Sequence, residues 1–217
     1  MRRSARLIIL LATFSVAVSS WPSFAEDRDS KAPQPIAFVG ELVDIKELNY
    51  DCGKDCASFD SGYKLEYRVV RELSGTVGQE VVSFDYFGHN GLTQFAFYPH
   101  ALVFVYRLEN ENLMARYLAV PVWQTVDGKW GYCGDPYRAE VPKSDRKFHR
   151  LKFVSPVAFS DTAAKWRDDD YLWFVGKMQP GRTHCWHGAL VEDMVSALLP
   201  LAEPGYWRTI GFVRESK

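Results

Sequence analysis

The feature that most constrains the fold is an alternating stretch, followed by turn residues and a second apolar run, at residues 62–87. Apolar side chains stand at positions 63, 65, 67, 69 and 73, and charged ones at 64, 66, 68 and 72. Because successive side chains of a strand point to opposite faces, this pattern predicts a strand with one buried face. Ser74, Gly75 and Gly78 supply turn chemistry, and the Val-rich and aromatic residues 80–87 predict a second strand. The stretch therefore predicts a β-hairpin.

Three more strand candidates flank the hairpin strands. Residues 37–48 contain Gly40, which indicates a bulge or a bend. Residues 100–107 form a nearly continuous apolar run, which is typical of a buried strand. Residues 116–126 predict a fifth strand, in which Pro121 indicates an edge or a bulge. Because no long helix fits between these five strands, they must close into a barrel or pack as two layers.

We therefore expect a mainly β fold, a five-stranded OB-like Greek-key barrel with a small α+β C-terminal extension. Asp127-Gly128 between two apolar runs predicts a further tight hairpin. In the extension, apolar residues at helical spacing predict an amphipathic helix over 188–199. The predicted organisation is a signal peptide at 1–25, a linker at 26–36, the barrel domain at 37–138 and the extension at 139–217.

The N-terminus has the pattern of an export signal. Three arginines precede an apolar run at residues 7–18, and Ser23-Phe24-Ala25 fits a cleavage site, so the mature chain is expected to begin at Glu26. The alternative is an uncleaved N-terminal anchor. The apolar run is short for a membrane span, which needs about 20 residues, so we expect a periplasmic or secreted chain with no stable span after cleavage.

The charge of the chain constrains its partners. The full sequence has 26 Lys and Arg against 27 Asp and Glu, and loss of the three signal arginines leaves a mature net charge of −4. This balance predicts no nucleic-acid footprint and no attraction to an anionic membrane. With 7 Trp, 11 Tyr and 14 Phe, the composition favours packed β-structure over disorder. The expected partner is an unknown protein or a small ligand.

Four cysteines remain after the predicted cleavage: Cys52, Cys56, Cys133 and Cys185. An even count in an exported chain predicts two disulfides, for which three pairings are open. Cys52 and Cys56 lie close together in a turn-rich loop, and if they pair, Cys133 would tie the β-region to Cys185. Three residues separate Cys52 from Cys56, whereas a thioredoxin-type redox motif has two, so a structural bond is favoured there.

The order of these segments resembles the OB-fold superfamily of tissue inhibitors of metalloproteinases and netrin-like modules. The resemblance rests on a glycine-containing strand, a cysteine-bearing loop, a strand ending in Leu-x-Gly, a Val-rich strand and a buried Leu-Val-Phe strand (residues 38–43, 49–62, 63–75, 80–84 and 101–106). It covers roughly half of the chain, up to about Cys133, and implies a barrel that carries disulfides. In the inhibitors an N-terminal Cys binds the protease zinc. This mature chain is expected to start at Glu26, so inhibition is not implied.

A group of aromatic and histidine side chains between the third and fourth strands is the first candidate binding site. Barrels of this kind often bind ligands on one face and its loops. The alternative is that the rings plug the end of the barrel. The candidate residues are Tyr86, Phe87, His89, Phe95, Phe97 and Tyr98.

The stretch His184-Cys185-Trp186-His187 is the densest group of potential metal ligands. Its spacing matches no established zinc motif, and in an oxidising compartment a disulfide at Cys185 is favoured. The sequence lacks a Gly-x-Ser-x-Gly elbow and a phosphate-binding glycine loop, and it predicts no cofactor. The leading hypothesis is an exported, non-enzymatic binding domain. The alternative is a metal-binding protein or metal-dependent hydrolase that uses His184, Cys185 and His187, with His149 as a further ligand.

Overall fold

A computed structural model describes residues 35–48, 61–88, 91–107, 112–115, 118–156 and 183–202. The predicted signal peptide, Cys52, Cys56 and His89 lie outside these residues. The strands are β1 Pro35–Leu48, β2 Ser61–Ser74, β3 Val81–Gly88, β4 His100–Arg107, β5 Asn112–Met114, β6 Val120–Pro121, β7 Trp123–Gln124, β8 Trp130–Cys133, β9 His149–Lys152 and β10 His184–Leu190. Helix α1 spans Val191–Leu198, and 3-10 turns lie at Gln94–Phe97, Lys143–Asp145 and Leu199–Ala202.

The first five strands close into a barrel. Their order is β1-β2-β3-β5-β4, and a second pairing between β1 and β4 joins the two ends. The β3–β5 contact is parallel, whereas the other pairs are antiparallel. This closed five-stranded arrangement confirms the predicted mainly β fold with an OB-like Greek-key barrel. The short helix α1 and the strands beyond the barrel confirm the α+β extension.

The predicted fifth strand was placed wrongly. The barrel closes through the short strand β5, Asn112–Met114, and not through residues 116–126. The Asn112 side-chain amide donates a hydrogen bond of 3.0 Å to the Ser83 carbonyl, which fastens β5 to β3. Strand β6 pairs with the other end of β4, where Pro121 lies opposite Ala101. A strand of three residues is too short for an alternating pattern, so the sequence did not mark it.

Strand β1 pairs with two neighbours at once, and its register with β2 shifts at Gly40, where the sequence predicts a bulge or a bend. Gly40 lies opposite Val69 of β2 and Ala101 of β4, and the β1–β2 register shifts beside it. A Cβ atom at this position would lie 2.9 Å from the Tyr67 Cβ and from the Phe38 ring. Real Cβ contacts this short are essentially absent from folded proteins. The close approach of the two side chains therefore requires glycine.

The sheet is buried on both faces where β1 and β4 meet. Phe38 and Val103 point into the barrel core, whereas Val39 and Leu102 belong to a second core outside it. Met194 and other apolar residues of α1 cover this outer face. A strand that is buried on both sides has a continuous apolar sequence, which explains why residues 101–105 are all apolar.

A second sheet follows the barrel, in the order β7-β8-β10-β9. An isolated bridge between Thr125 and Phe153 also joins the end of β7 to the end of β9, so the sheet curls back on itself. It takes strands from both sides of position 138, and β9 contains the basic residues Arg150 and Lys152. The Asp127-Gly128 hairpin is confirmed: the Gly128 N–H donates 2.9 Å to the Thr125 carbonyl, and Gly128 has φ 79°.

Helix α1 begins later than predicted. Residues 188–190 are the end of β10, where Gly188 pairs with Cys133, and the helix starts at Val191. Its buried side chains follow helical spacing and are Val191, Met194, Val195 and Leu198. Pro35 and Ile36, placed in the predicted linker, belong to β1 because they pair with the end of β4.

Candidate functional site

Four of the six binding-site residues chosen from the sequence lie inside the molecule. The exposed fractions of Tyr86, Phe95, Phe97 and Tyr98 are 2, 1, 4 and 2%. The Tyr86 and Phe95 rings meet edge to face with centroids 5.8 Å apart. Phe87 is half-buried. The structure therefore places four of these rings in the core, as the alternative interpretation of the sequence expected, and does not bring them to a surface.

The outer face of β2 and β3, where OB-type barrels often bind ligands, carries paired charges. Lys64 Nζ lies 3.3 Å from Asp85 Oδ1 across the two strands. Beside them, Arg68 Nη1 lies 2.6 Å from Glu41 Oε2 on β1. These ion pairs satisfy the cations within the face itself. No Tyr or Trp is exposed on the described part of β2 and β3, so this face has no aromatic platform for a ligand.

Cys185 forms a disulfide with Cys133. Their Cα atoms are 5.5 Å apart, so the structure shows the bond expected if Cys52 pairs with Cys56, one of the three pairings that the sequence left open. The bond joins β8 to β10, and it leaves Cys185 without a thiolate to offer a metal. His184 and His187 are both exposed, and the His187 ring stacks on Phe148 with centroids 3.8 Å apart.

His149, the further ligand in the metal hypothesis, is engaged by a carboxylate. Its Nε2 atom lies 2.8 Å from Asp193 Oδ2, at the start of α1. Across the residues that the structure describes, no group of three or more His, Cys, Asp or Glu side chains is placed to hold a metal ion. The geometry therefore gives the metal hypothesis no ligand set in this part of the chain.

Trp186 is the most exposed large apolar side chain in the described ranges, with 74% of its surface accessible. Its neighbour Cys185 points into the core, so the alternation of β10 directs Trp186 outward. The Arg150 guanidinium on the adjacent strand β9 lies 5.2 Å from the centroid of the indole ring. A cation at this distance over an indole ring makes a favourable cation–π contact. Trp186 is thus held against a charged neighbour although it is open to solvent.

The exposed side chains around Trp186 form one surface, which we call the Trp186 face. Along residues 150–154, exposed side chains alternate with the buried side chains of Leu151 and Phe153. Lys152 of β9 lies opposite His184 of β10. The members of the Trp186 face are Arg150, Lys152, Val154, His184 and Trp186.

The Trp186 face is cationic. Residues 146–156 and 183–190 contain no Asp or Glu. Nearby cations outside the face are paired: Lys147 Nζ lies 3.3 Å from Asp193 Oδ1, and Arg146 Nη1 lies 3.3 Å from Asp135 Oδ2. No carboxylate of the described residues lies within ion-pair distance of Arg150 or Lys152. Within the described ranges, these two charges therefore have no carboxylate partner.

The loop that leads into β9 is fixed by hydrogen bonds. The Arg146 guanidinium donates to the Val141 carbonyl at 2.9 and 3.0 Å and to the Arg138 carbonyl at 3.0 Å. The Tyr137 hydroxyl donates to the Lys147 carbonyl at 3.1 Å and accepts from the Lys147 N–H at 3.2 Å. The Trp186 face consequently stands on a strand that is anchored at its start.

The sequence interpretation passed over Trp186 because the flanking His and Cys residues suggested ligands. One signal could have identified it. If Cys185 is disulfide-bonded and inward, then its neighbours on a strand must point outward. An exposed Trp beside basic residues is typical of a contact surface.

Comparisons with protein-family models, with curated proteins and with solved structures find no significant match to this chain.

In the part of the chain that the structure describes, no helix is long and apolar enough to cross a membrane.

Proposed function

We propose that this chain is an exported, non-enzymatic binding domain and that the Trp186 face is its contact surface. The observation that carries the proposal is the 74% exposure of Trp186 against Arg150, on a face whose two cations, Arg150 and Lys152, have no carboxylate partner among the described residues. The N-terminal pattern supports export to the periplasm or out of the cell. The resemblance to netrin-like modules is part of this proposal, and the closed barrel and the Cys133–Cys185 bond support it.

The energy available at Trp186 supports a role in binding. A Trp side chain can bury about 200 Å², so the accessible fraction of Trp186 corresponds to roughly 150 Å². At about 25 cal/mol per Å², burying that area against a partner would contribute up to about 4 kcal/mol. Folding does not use this surface, because the ring remains open to water in the folded chain.

The face is also pre-organised, which lowers the entropy lost on binding. Trp186 follows Cys185, whose disulfide fixes β10 to β8. Arg150 rests over the indole ring, so two long side chains already occupy one arrangement. A rigid aromatic and an arginine side by side are the residue types that dominate measured binding hot spots.

The proposal can be tested by site-specific photo-crosslinking in the cells that naturally produce the chain. A photoreactive phenylalanine analogue at Val154, an exposed apolar position of the face, should form a crosslinked adduct, and the same analogue at Gln79, an exposed turn position between β2 and β3, should not. The adduct at position 154 should disappear in the Trp186→Ala background. An adduct that is equally strong at position 79, or that persists without Trp186, would show that the contact surface lies elsewhere.

A separate measurement addresses export. The intact mass of the purified mature chain should correspond to a start at Glu26 with the cysteines oxidised. A chain that retains residues 1–25 after fractionation of the cells would remove the export part of the proposal.

A further inference from the structure

We infer that the partner of the Trp186 face is an acidic segment of another protein, with carboxylates at Arg150 and Lys152 and an apolar side chain against Trp186. This inference deepens the proposed function and rests on it. It specifies the chemistry of the occupant, which a contact surface alone does not.

Charge complementarity is the first argument. The described part of the Trp186 face offers cations and no carboxylate, while cations next to it are neutralised by Asp135 and Asp193. Arg150 also holds a planar guanidinium with several donors, the group that pairs with carboxylates in two-point geometry. A partner without negative charge would leave Arg150 and Lys152 unpaired, whereas an acidic partner satisfies both.

The number of charges favours a protein over a membrane surface. Recognition of anionic lipids usually employs clusters of about 4 to 8 Lys or Arg. The Trp186 face has only Arg150 and Lys152 in addition to His184, and the mature chain carries a net charge of −4. Protein interfaces, in contrast, often concentrate their affinity in a single Trp and Arg.

The exposed apolar side chains near the cations also favour a protein segment as the partner. Trp186 is 74% exposed and lies against Arg150, two residues before Lys152 in the chain, and Val154, two residues after Lys152, is 60% exposed. Apolar groups on both sides of a cation match a peptide in which acidic and apolar residues alternate. Such a peptide places each type of side chain against its complement.

The experiment uses the oxidised mature chain and a library of random linear peptides as the probe. Peptides are selected on the immobilised wild-type chain after removal of those that bind the Trp186→Ala variant. We expect the enriched peptides to combine Asp or Glu with Leu, Phe or Trp. Their Kd values should rise about tenfold or more in Trp186→Ala and in the double variant Arg150→Gln/Lys152→Gln. Higher salt should weaken binding to the wild-type chain.

Lys143→Gln is the matched control, because Lys143 is an exposed cation outside the face. The Lys143→Gln variant should bind the selected peptides with the same Kd as the wild-type chain. Circular dichroism and the urea midpoint confirm that each variant is folded. Peptides without acidic residues, or acidic peptides whose Kd is unchanged in Arg150→Gln/Lys152→Gln, would overturn the acidic-partner inference.

Two outcomes separate this inference from the proposed function. If vesicles containing phosphatidylglycerol bind the chain in a Trp186-dependent manner and no acidic peptide does, the partner is a lipid surface. The inference is then wrong while the contact surface stands. If the crosslinking at position 154 is also independent of Trp186, both the inference and the proposed contact surface are wrong.

Discussion

Removal of the Cys133–Cys185 bond should strongly destabilise the chain. The two cysteines are separated by 52 residues, so the bond closes a long loop in the unfolded state. In the chain-entropy description, a loop of this length corresponds to about 4 kcal/mol at room temperature. Loss of the buried Cys185 sulfur adds a packing cost. The double variant Cys133→Ala/Cys185→Ala should therefore lose at least about 4 kcal/mol of its free energy of unfolding, a large part of the total for a domain of this size.

Urea unfolding followed by tryptophan fluorescence measures this loss. A second comparison separates the bond from its packing: in a Cys52→Ala/Cys56→Ala background, Cys133 and Cys185 are the remaining cysteines, and reductant opens their bond without deleting a side chain. The double alanine substitution and the reduction of the bond should each lower the urea midpoint. An unchanged midpoint in the reduced chain, with the thiols confirmed by mass, would refute the loop-entropy argument for this protein.

Four further substitutions test the barrel and its core. Tyr67→Phe should raise the free energy of unfolding by up to about 1 kcal/mol, because the Tyr67 hydroxyl is buried without a hydrogen-bond partner among the described residues. Tyr98→Phe, which removes a hydroxyl bonded to Gln94, should lower it in the same urea assay. Gly40→Ala should lower the free energy of unfolding by about 1 to 3 kcal/mol, because the alanine Cβ would collide with Tyr67. An unchanged urea midpoint would contradict this. Burial lowers the pKa of His100 below its ordinary value of 6.5, so the unfolded chain binds the proton more readily and stability falls as the pH drops through 6.5. An NMR titration of His100 with a midpoint above 6.5 would contradict this sign, and His100→Gln should reduce the loss of stability at acid pH.

The parts of the fold with a regular residue period could be predicted from the sequence. The alternation that starts at Tyr63 marks β2, and the unbroken apolar run at 101–105 marks a strand that is covered on both sides. Strand β5 could not be predicted because three residues carry no period. It is defined by contacts to distant residues, such as the hydrogen bond from Asn112 to Ser83. Local pattern therefore specified the long strands, and tertiary pairing specified the strand that closes the barrel.

The candidate site was harder to predict for a different reason. An aromatic side chain has the same identity whether it is packed or exposed, so Phe95 and Tyr98 were as plausible as Trp186. Only tertiary structure separates them: Phe95 is 1% exposed and Trp186 is 74% exposed. The disulfide was the one sequence feature that could have connected residue identity to orientation, since it fixes which way Cys185 points.

The exposure of His187 directly after exposed Trp186 follows from a bulge in β10. Between Cys185 and Gly188, β10 advances three residues while β9 advances two, so Trp186 and His187 together face Arg150. The bulge interrupts the alternation, and consequently two consecutive residues are exposed. At Gly188 a Cβ atom would lie 2.5 Å from the Tyr132 carbonyl, so glycine is required for β8 to approach after the bulge. The buried sulfur of Cys185 on one side and Gly188 on the other therefore restrict the bulge to the two residues that carry the exposed rings.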